Sequence, residues 1–167
     1  NPYLRLVGYG LIDTYNGNIQ LIKYGDEFFS EMFMEQYEDN IIPMPEWLKE
    51  QIRYPQELFN WRTEMYNIYH VTDVDIFIQA NEFYEIPRGL DTYYIEAKPP
   101  GFEEKEFIGL LSLELRGSQG RNLAGYMVVQ NDLPNLGHMQ FYEVPIESET
   151  KLLGPTSVRE ALDRDPD

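Results

Sequence analysis

Hydrophobic and polar positions follow three regimes along this chain. In the first, Tyr9–Tyr15 and Ile19–Tyr24 are rich in strand formers and flank Asn16-Gly17. That pair suits a type I′ turn, whose two central positions both need positive φ, so a β-hairpin is predicted. In the second, across residues 26–38, Phe29, Met32, Phe33 and Tyr37 recur at three-to-four-residue spacing. This predicts a helix with that face buried. Pro43 and Pro45 interrupt, and Glu46–Arg53 reads as a short second helix. Pro55 suits a first helical position, and Leu58, Trp61, Arg62, Met65, Tyr66 and Tyr69 then lie at helical spacing. His70 closes that helix near its negative dipole end. Thr72 with Asp75 resembles a capping box opening another short helix through Ala80.

The third regime begins at Tyr93. Strands are predicted at Tyr94–Lys98, Phe107–Leu115, Leu123–Gln130 and Met139–Val144, with turns at Pro99-Pro100-Gly101, Arg116–Asn122 and Asn131–Gly137. In the second of these strands Phe107, Leu111, Leu113 and Leu115 share one parity and Ser112 and Glu114 the other, as in a half-buried antiparallel strand. A terminal helix is expected after Pro155, around Ser157–Leu162. The order of hairpin, helical block and strands predicts an α+β fold, an antiparallel β-sheet with a helical block inserted after the N-terminal hairpin. If the hairpin joins the later strands, residues 26–87 are a helical excursion from one sheet within a single domain spanning 1–167.

Composition narrows the class. The 167 residues include 13 Tyr and 9 Phe, more aromatic content than a disordered chain carries. Twenty-nine acidic residues against 13 basic ones give a net charge of −16, which repels phosphate backbones and anionic headgroups. Nucleic acid is therefore not expected as a partner. Cysteine is absent, which excludes a disulfide framework, thiol nucleophiles and Cys-based zinc sites. No apolar run approaches the roughly 20 residues of a spanning helix. Asn1-Pro2-Tyr3 does not read as a native start, and the chain is expected to be a piece of a longer protein.

Several stretches resemble uncharacterised protein family 0182, large bacterial and archaeal membrane proteins. Asp13-Thr14-Tyr15-Asn16-Gly17 is similar to the family's Asp-Ala-Tyr-Asp-Gly turn, and residues 53–59, Arg-Tyr-Pro-Gln-Glu-Leu-Phe, to its Arg-Tyr-Pro-Glu-Asp-Leu-Phe. Tyr69-His70-Val71-Thr72-Asp73 and Phe77 match its Tyr-His-x-Thr-Asp…Phe segment, and Glu85-Ile86-Pro87 follows in order. Ser118-Gln119-Gly120 departs from the pattern as an insertion in an Arg-Gly-Arg loop. The resemblance implies membrane-spanning helices elsewhere in an integral membrane protein, with this chain in a long region on the extracytoplasmic face. It brings no catalytic residues.

Two constellations carry chemistry by residue type. His70 and Asp73 are a candidate general-base pair, since a carboxylate can orient a histidine, but a helix-terminal cap for His70 and a place for Asp73 in the next helix's first turn are the favoured reading. The loop Arg116-Gly117-Ser118-Gln119-Gly120-Arg121 offers an anion two guanidinium groups and glycine-permitted backbone, but lacks P-loop spacing and suits a plain hairpin connection. No metal site is expected, since neither His70 nor His138 has a second histidine nearby, and no cofactor is implied. The leading expectation is a non-catalytic binding or assembly domain of a membrane-anchored envelope protein, with a protein or envelope component as partner. Two rivals stand beside it. One is a hydrolase-type domain acting on envelope material, in which Glu57 or Glu64 would converge on His70 and Asp73. The other is a purely structural segment of a larger soluble region.

Overall fold

A computed structural model describes residues 4–69, 84–115, 121–144 and 152–164. The chain divides into two compact units, Asn1–Ile52 and Arg53–Asp167.

In the first unit, β1 (Gly8–Ile12) and β2 (Ile19–Lys23) pair antiparallel with Ile12 opposite Ile19. The connection therefore spans residues 13–18 and is wider than the predicted two-residue turn. Gly17, at φ +76°, supplies the left-handed step. Asp13 Oδ1 accepts the Tyr15 N–H and Asn16 Oδ1 the Asn18 N–H, both at 2.8 Å, so side chains satisfy the loop's backbone donors. Helix α1 (Phe28–Glu35) buries Ser30 and Met34. Gly8 leaves room for the Met34 methyl, which a Cβ there would meet at 2.8 Å. A 3₁₀ turn at Glu38–Asn40 returns the chain so that the Ile42 N–H reaches the Leu21 carbonyl at 2.8 Å, and α2 (Glu46–Lys49) follows. The hairpin forms a two-stranded sheet of its own and does not join the later strands.

The second unit opens with α3 (Gln56–Tyr69), whose Phe59 N–H bonds to the Pro55 carbonyl at 3.0 Å. Five strands form its sheet: β3 (Tyr84–Glu85), β4 (Tyr93–Ala97), β5 (Glu106–Leu115), β6 (Leu123–Gln130) and β7 (Met139–Glu143), all antiparallel. Strand β5 is central. β6 lies along one side, while β3 and β4 share the other, with Tyr84 opposite Leu115 and Tyr93 opposite Leu110. One sheet face carries Leu111, Leu113, Met127 and Phe141, and α3 packs over it. Tyr66 meets the Phe141 ring at 5.3 Å, and Thr92 Oγ1 donates to Asn60 Oδ1 at 3.2 Å.

The described helices and strands accord with an α+β fold. Strand β5 departs from its expected one-sided burial, because Ile108 and Glu114 on the second parity are buried too. An irregularity between Leu113 and Glu114 shifts the register, so that Glu114 pairs with Leu123. Bulges of this kind re-aim side chains. Here it accompanies a carboxylate turned to the N-terminus of α4 (Pro155–Arg164), where Glu114 Oε1 accepts the Thr156 N–H at 2.6 Å.

Candidate functional site

The predicted chemical residues fall largely outside the described ones: His70 and Asp73 of the general-base pair, and Arg116, Gly117 and Gly120 of the anion loop. Glu57 and Glu64 are both exposed on α3, and seven residues at 1.5 Å rise place them about 10 Å apart along the axis. Arg121 is exposed, and its backbone carbonyl accepts the Gly154 N–H at 2.9 Å and the Ser157 hydroxyl at 3.0 Å. These bonds tie the α4 N-terminus to the strand ahead of it, and one of that helix's free amides already points at Glu114. The other carboxylate oxygen of Glu114 is buried with no hydrogen-bond partner among the described residues. Beside α4 lies a cleft of about 200 Å³ whose walls carry Arg88 and Arg159 against Glu160 and Asp163.

A polar relay that sequence reading missed lies at the β6–β7 end. Gln130 is 6% exposed; its Nε2 donates to Glu106 Oε2 at 2.5 Å, and its Oε1 lies 2.8 Å from His138 Nδ1. A carboxylate accepts, so the amide nitrogen faces Glu106 and His138 Nδ1 must be the donor. His138 itself is exposed. The only sequence clue is the pairing of β5 with β6, which brings Glu106 beside Gln130. Among the described residues no group of three or more His, Asp or Glu side chains is placed to hold a metal ion.

Nearby, Asn131 is fully buried and its Oδ1 accepts the Tyr54 N–H at 2.9 Å. Arg62 Nη1 donates to the Tyr54 hydroxyl at 2.9 Å and to the Gly137 carbonyl at 2.8 Å. Together these lock the start of α3 to the β6–β7 connection. Three phenols are held above their ordinary value. Burial raises Tyr66, with Glu143 adding to the effect; burial raises Tyr94, with Glu57 adding; and burial alone raises Tyr142.

Both α3 and α1 also carry exposed apolar side chains. On α3 the buried residues after the first turn are Thr63 and Asn67, with Phe59 before them. About half a turn away stand Trp61, Met65, Ile68 and Tyr69, exposed to 41%, 41%, 43% and 71%. Beyond its first turn, where Leu58 and Phe59 are buried, the helix turns Thr63 and Asn67 inward and leaves an apolar stripe partly exposed on its outer side. On α1 the predicted buried face is reversed. Phe29, Met32, Phe33 and Tyr37 are exposed, with Phe28 beside them, while Ser30 and Met34 are inside.

Comparisons with known proteins agree on one group. The family described as uncharacterised protein family UPF0182 matches residues 10–167. A UPF0182 protein of Sulfurovum sp. is 31% identical over 94% of this chain, as is one of Methanospirillum hungatei JF-1. A UPF0182 protein of Salinibacter ruber is 27% identical over 98% of it. In each case the alignment covers 18% of the relative's own length. No solved structure matches.

Proposed function

The chain belongs to the uncharacterised protein family UPF0182, and from that premise we propose that it is a non-catalytic assembly domain in the extracytoplasmic part of a membrane-anchored envelope protein. The observation that carries this reading is the apolar stripe left exposed on α3. Past the buried Leu58 and Phe59, α3 encloses Thr63 and Asn67 and leaves Trp61, Met65 and Ile68 partly exposed and Tyr69 largely so. Full burial of such a side chain stabilises by roughly 1.5–3 kcal/mol, and a covering surface would gain the share of that still exposed. Exposed apolar stripes of this kind mark interaction sites. The 18% share of each relative's length leaves ample polypeptide to provide the cover. The net charge of −16 disfavours anionic membrane surfaces and nucleic acid as the covering partner.

The test uses the absence of cysteine from this chain. Trp61→Cys and Tyr69→Cys each give it one unique thiol, read by mass-spectrometric mapping of a membrane-impermeant maleimide. In the isolated chain both sites label freely. In the full-length protein in intact cells, assembly predicts labelling severalfold slower at both, recovered when the protein is denatured on the extracytoplasmic side. A control thiol at exposed Glu57 reports sidedness independently. Equal labelling of the stripe in both forms would remove the assembly reading; a silent Glu57→Cys control in intact cells would remove the location.

A further inference from the structure

The outward face of α1 has a different character from that of α3, and it says what kind of surface would cover it. At 100° per residue, Phe28, Met32, Phe29 and Phe33 fill an arc of about 140° beside the buried Ser30 and Met34. Phe28 and Phe29 are 71% and 67% exposed, and the Phe33 ring reaches Tyr37 at 5.4 Å, extending the apolar arc past the helix end. Within α1 the buried residues are Ser30 and Met34, and the Met34 methyl lies beside Gly8 of the hairpin.

Charge is arranged unevenly around the patch. At the N-terminal side the acids are matched: Arg5 pairs with Glu27, and Lys23 reaches Glu31 at 3.1 Å and Asp26 at 3.8 Å. At the C-terminal end Glu35, Glu38 and Asp39 follow in close succession, and among the described residues none of them is in an ion pair. No basic residue lies in the last turn of α1. That end is also the negative pole of the helix dipole, where cations stabilise and carboxylates repel. The surface therefore joins a broad aromatic arc to an unmet demand for positive charge.

We propose that α1 docks another segment of the same longer polypeptide, one in which apolar side chains are followed by Lys or Arg. The apolar part would lie across Phe28, Phe29, Met32 and Phe33, and its basic end would meet Glu35, Glu38 and Asp39. A second copy of this chain is the wrong sign, at −16 against −16, and an anionic lipid surface is repelled by the same carboxylates. The proposal rests on the assembly reading above and gives it a site and a partner chemistry.

The full-length protein is tested in its membrane with a photoreactive benzoylphenylalanine at position 29 or 33, both exposed. Cross-linked peptides are identified by mass spectrometry, with mixed isotope-labelled and unlabelled copies separating links within one chain from links between copies. The expected product joins α1 to a Lys- or Arg-bearing apolar segment of the same chain. Its yield should fall severalfold in the Glu35→Lys/Glu38→Lys/Asp39→Lys variant and stay unchanged in Asp13→Lys, a reversal elsewhere on the unit. Links between copies or to a different protein would overturn this proposal and leave the assembly reading standing. Links to lipid alone, or none, would overturn this proposal and count against assembly at α1. A yield insensitive to the triple reversal would remove the basic partner. Matched thermal denaturation of the isolated chain shows that the triple variant folds.

Discussion

Asn131 shows how a single buried amide can set the geometry of a unit. With its side chain fully enclosed, it accepts from the Tyr54 backbone just before α3 and so fixes where that helix starts. Asn131→Ala would leave a buried N–H unpaired and should cost about 1–3 kcal/mol in urea denaturation of the isolated chain. Phe59, with no exposed surface, is the apolar counterpart; Phe59→Ala should cost about 3–5 kcal/mol by the same measurement. Glu114 is a different case. One oxygen caps α4 and the other is buried with no partner among the described residues. Glu114→Gln keeps an acceptor for the Thr156 N–H and removes a desolvated charge, so its urea midpoint should equal or exceed that of the parent. Glu114→Ala, which loses the cap, should fall below it by about 1–2 kcal/mol.

For the helices, the decisive question is which side faces inward. Trp61→Ser and Met65→Ser on the outer stripe of α3, where each side chain is still partly covered, should lower the stability of the isolated chain by about 1–2 kcal/mol, less than Phe59→Ala. In the full-length protein the same substitutions should loosen assembly, read as faster maleimide labelling of Tyr69→Cys. The positions of β4 to β7 and of α1 to α4 were legible in the sequence because a period of two and a period near 3.6 record local geometry. The buried sides of α1 and α3 were not. Periodicity counts apolar residues on a helix without revealing what lies opposite, and both helices carry more apolar surface than their neighbours can cover. Strand β3 escaped notice because two residues hold no period, and Glu114 was assigned outward because parity cannot foresee a bulge. The relay through Gln130 needed strand register, which joins Glu106 to a residue 24 positions away. The family resemblance was legible directly, from the Arg-Tyr-Pro segment at 53–55 onward.

Across the whole chain, charge and protonation act together. With a net charge of −16, self-repulsion opposes compaction, and shortening the Debye length from about 30 Å at 0.01 M salt to about 8 Å at 0.15 M should raise the thermal midpoint. Tyr66, Tyr94 and Tyr142 hold their protons longer in the folded protein than in the unfolded chain, because burial disfavours the phenolate. Their contribution to stability is fully present below the ordinary phenol value of about 10 and is lost as pH rises through it toward the raised values. Denaturation midpoints measured across that range should therefore decline, and Tyr66→Phe or Tyr94→Phe should flatten the decline. The outer stripe of α3 has a consequence for how this chain tolerates change over generations. Folding of the piece alone demands less of Trp61, Met65, Ile68 or Tyr69 than of the enclosed Phe59, so a screen for soluble expression would accept more replacements there. A screen for the working full-length protein would reject them as firmly as replacements at Phe59, and positions that look like free surface would drift as slowly as the core.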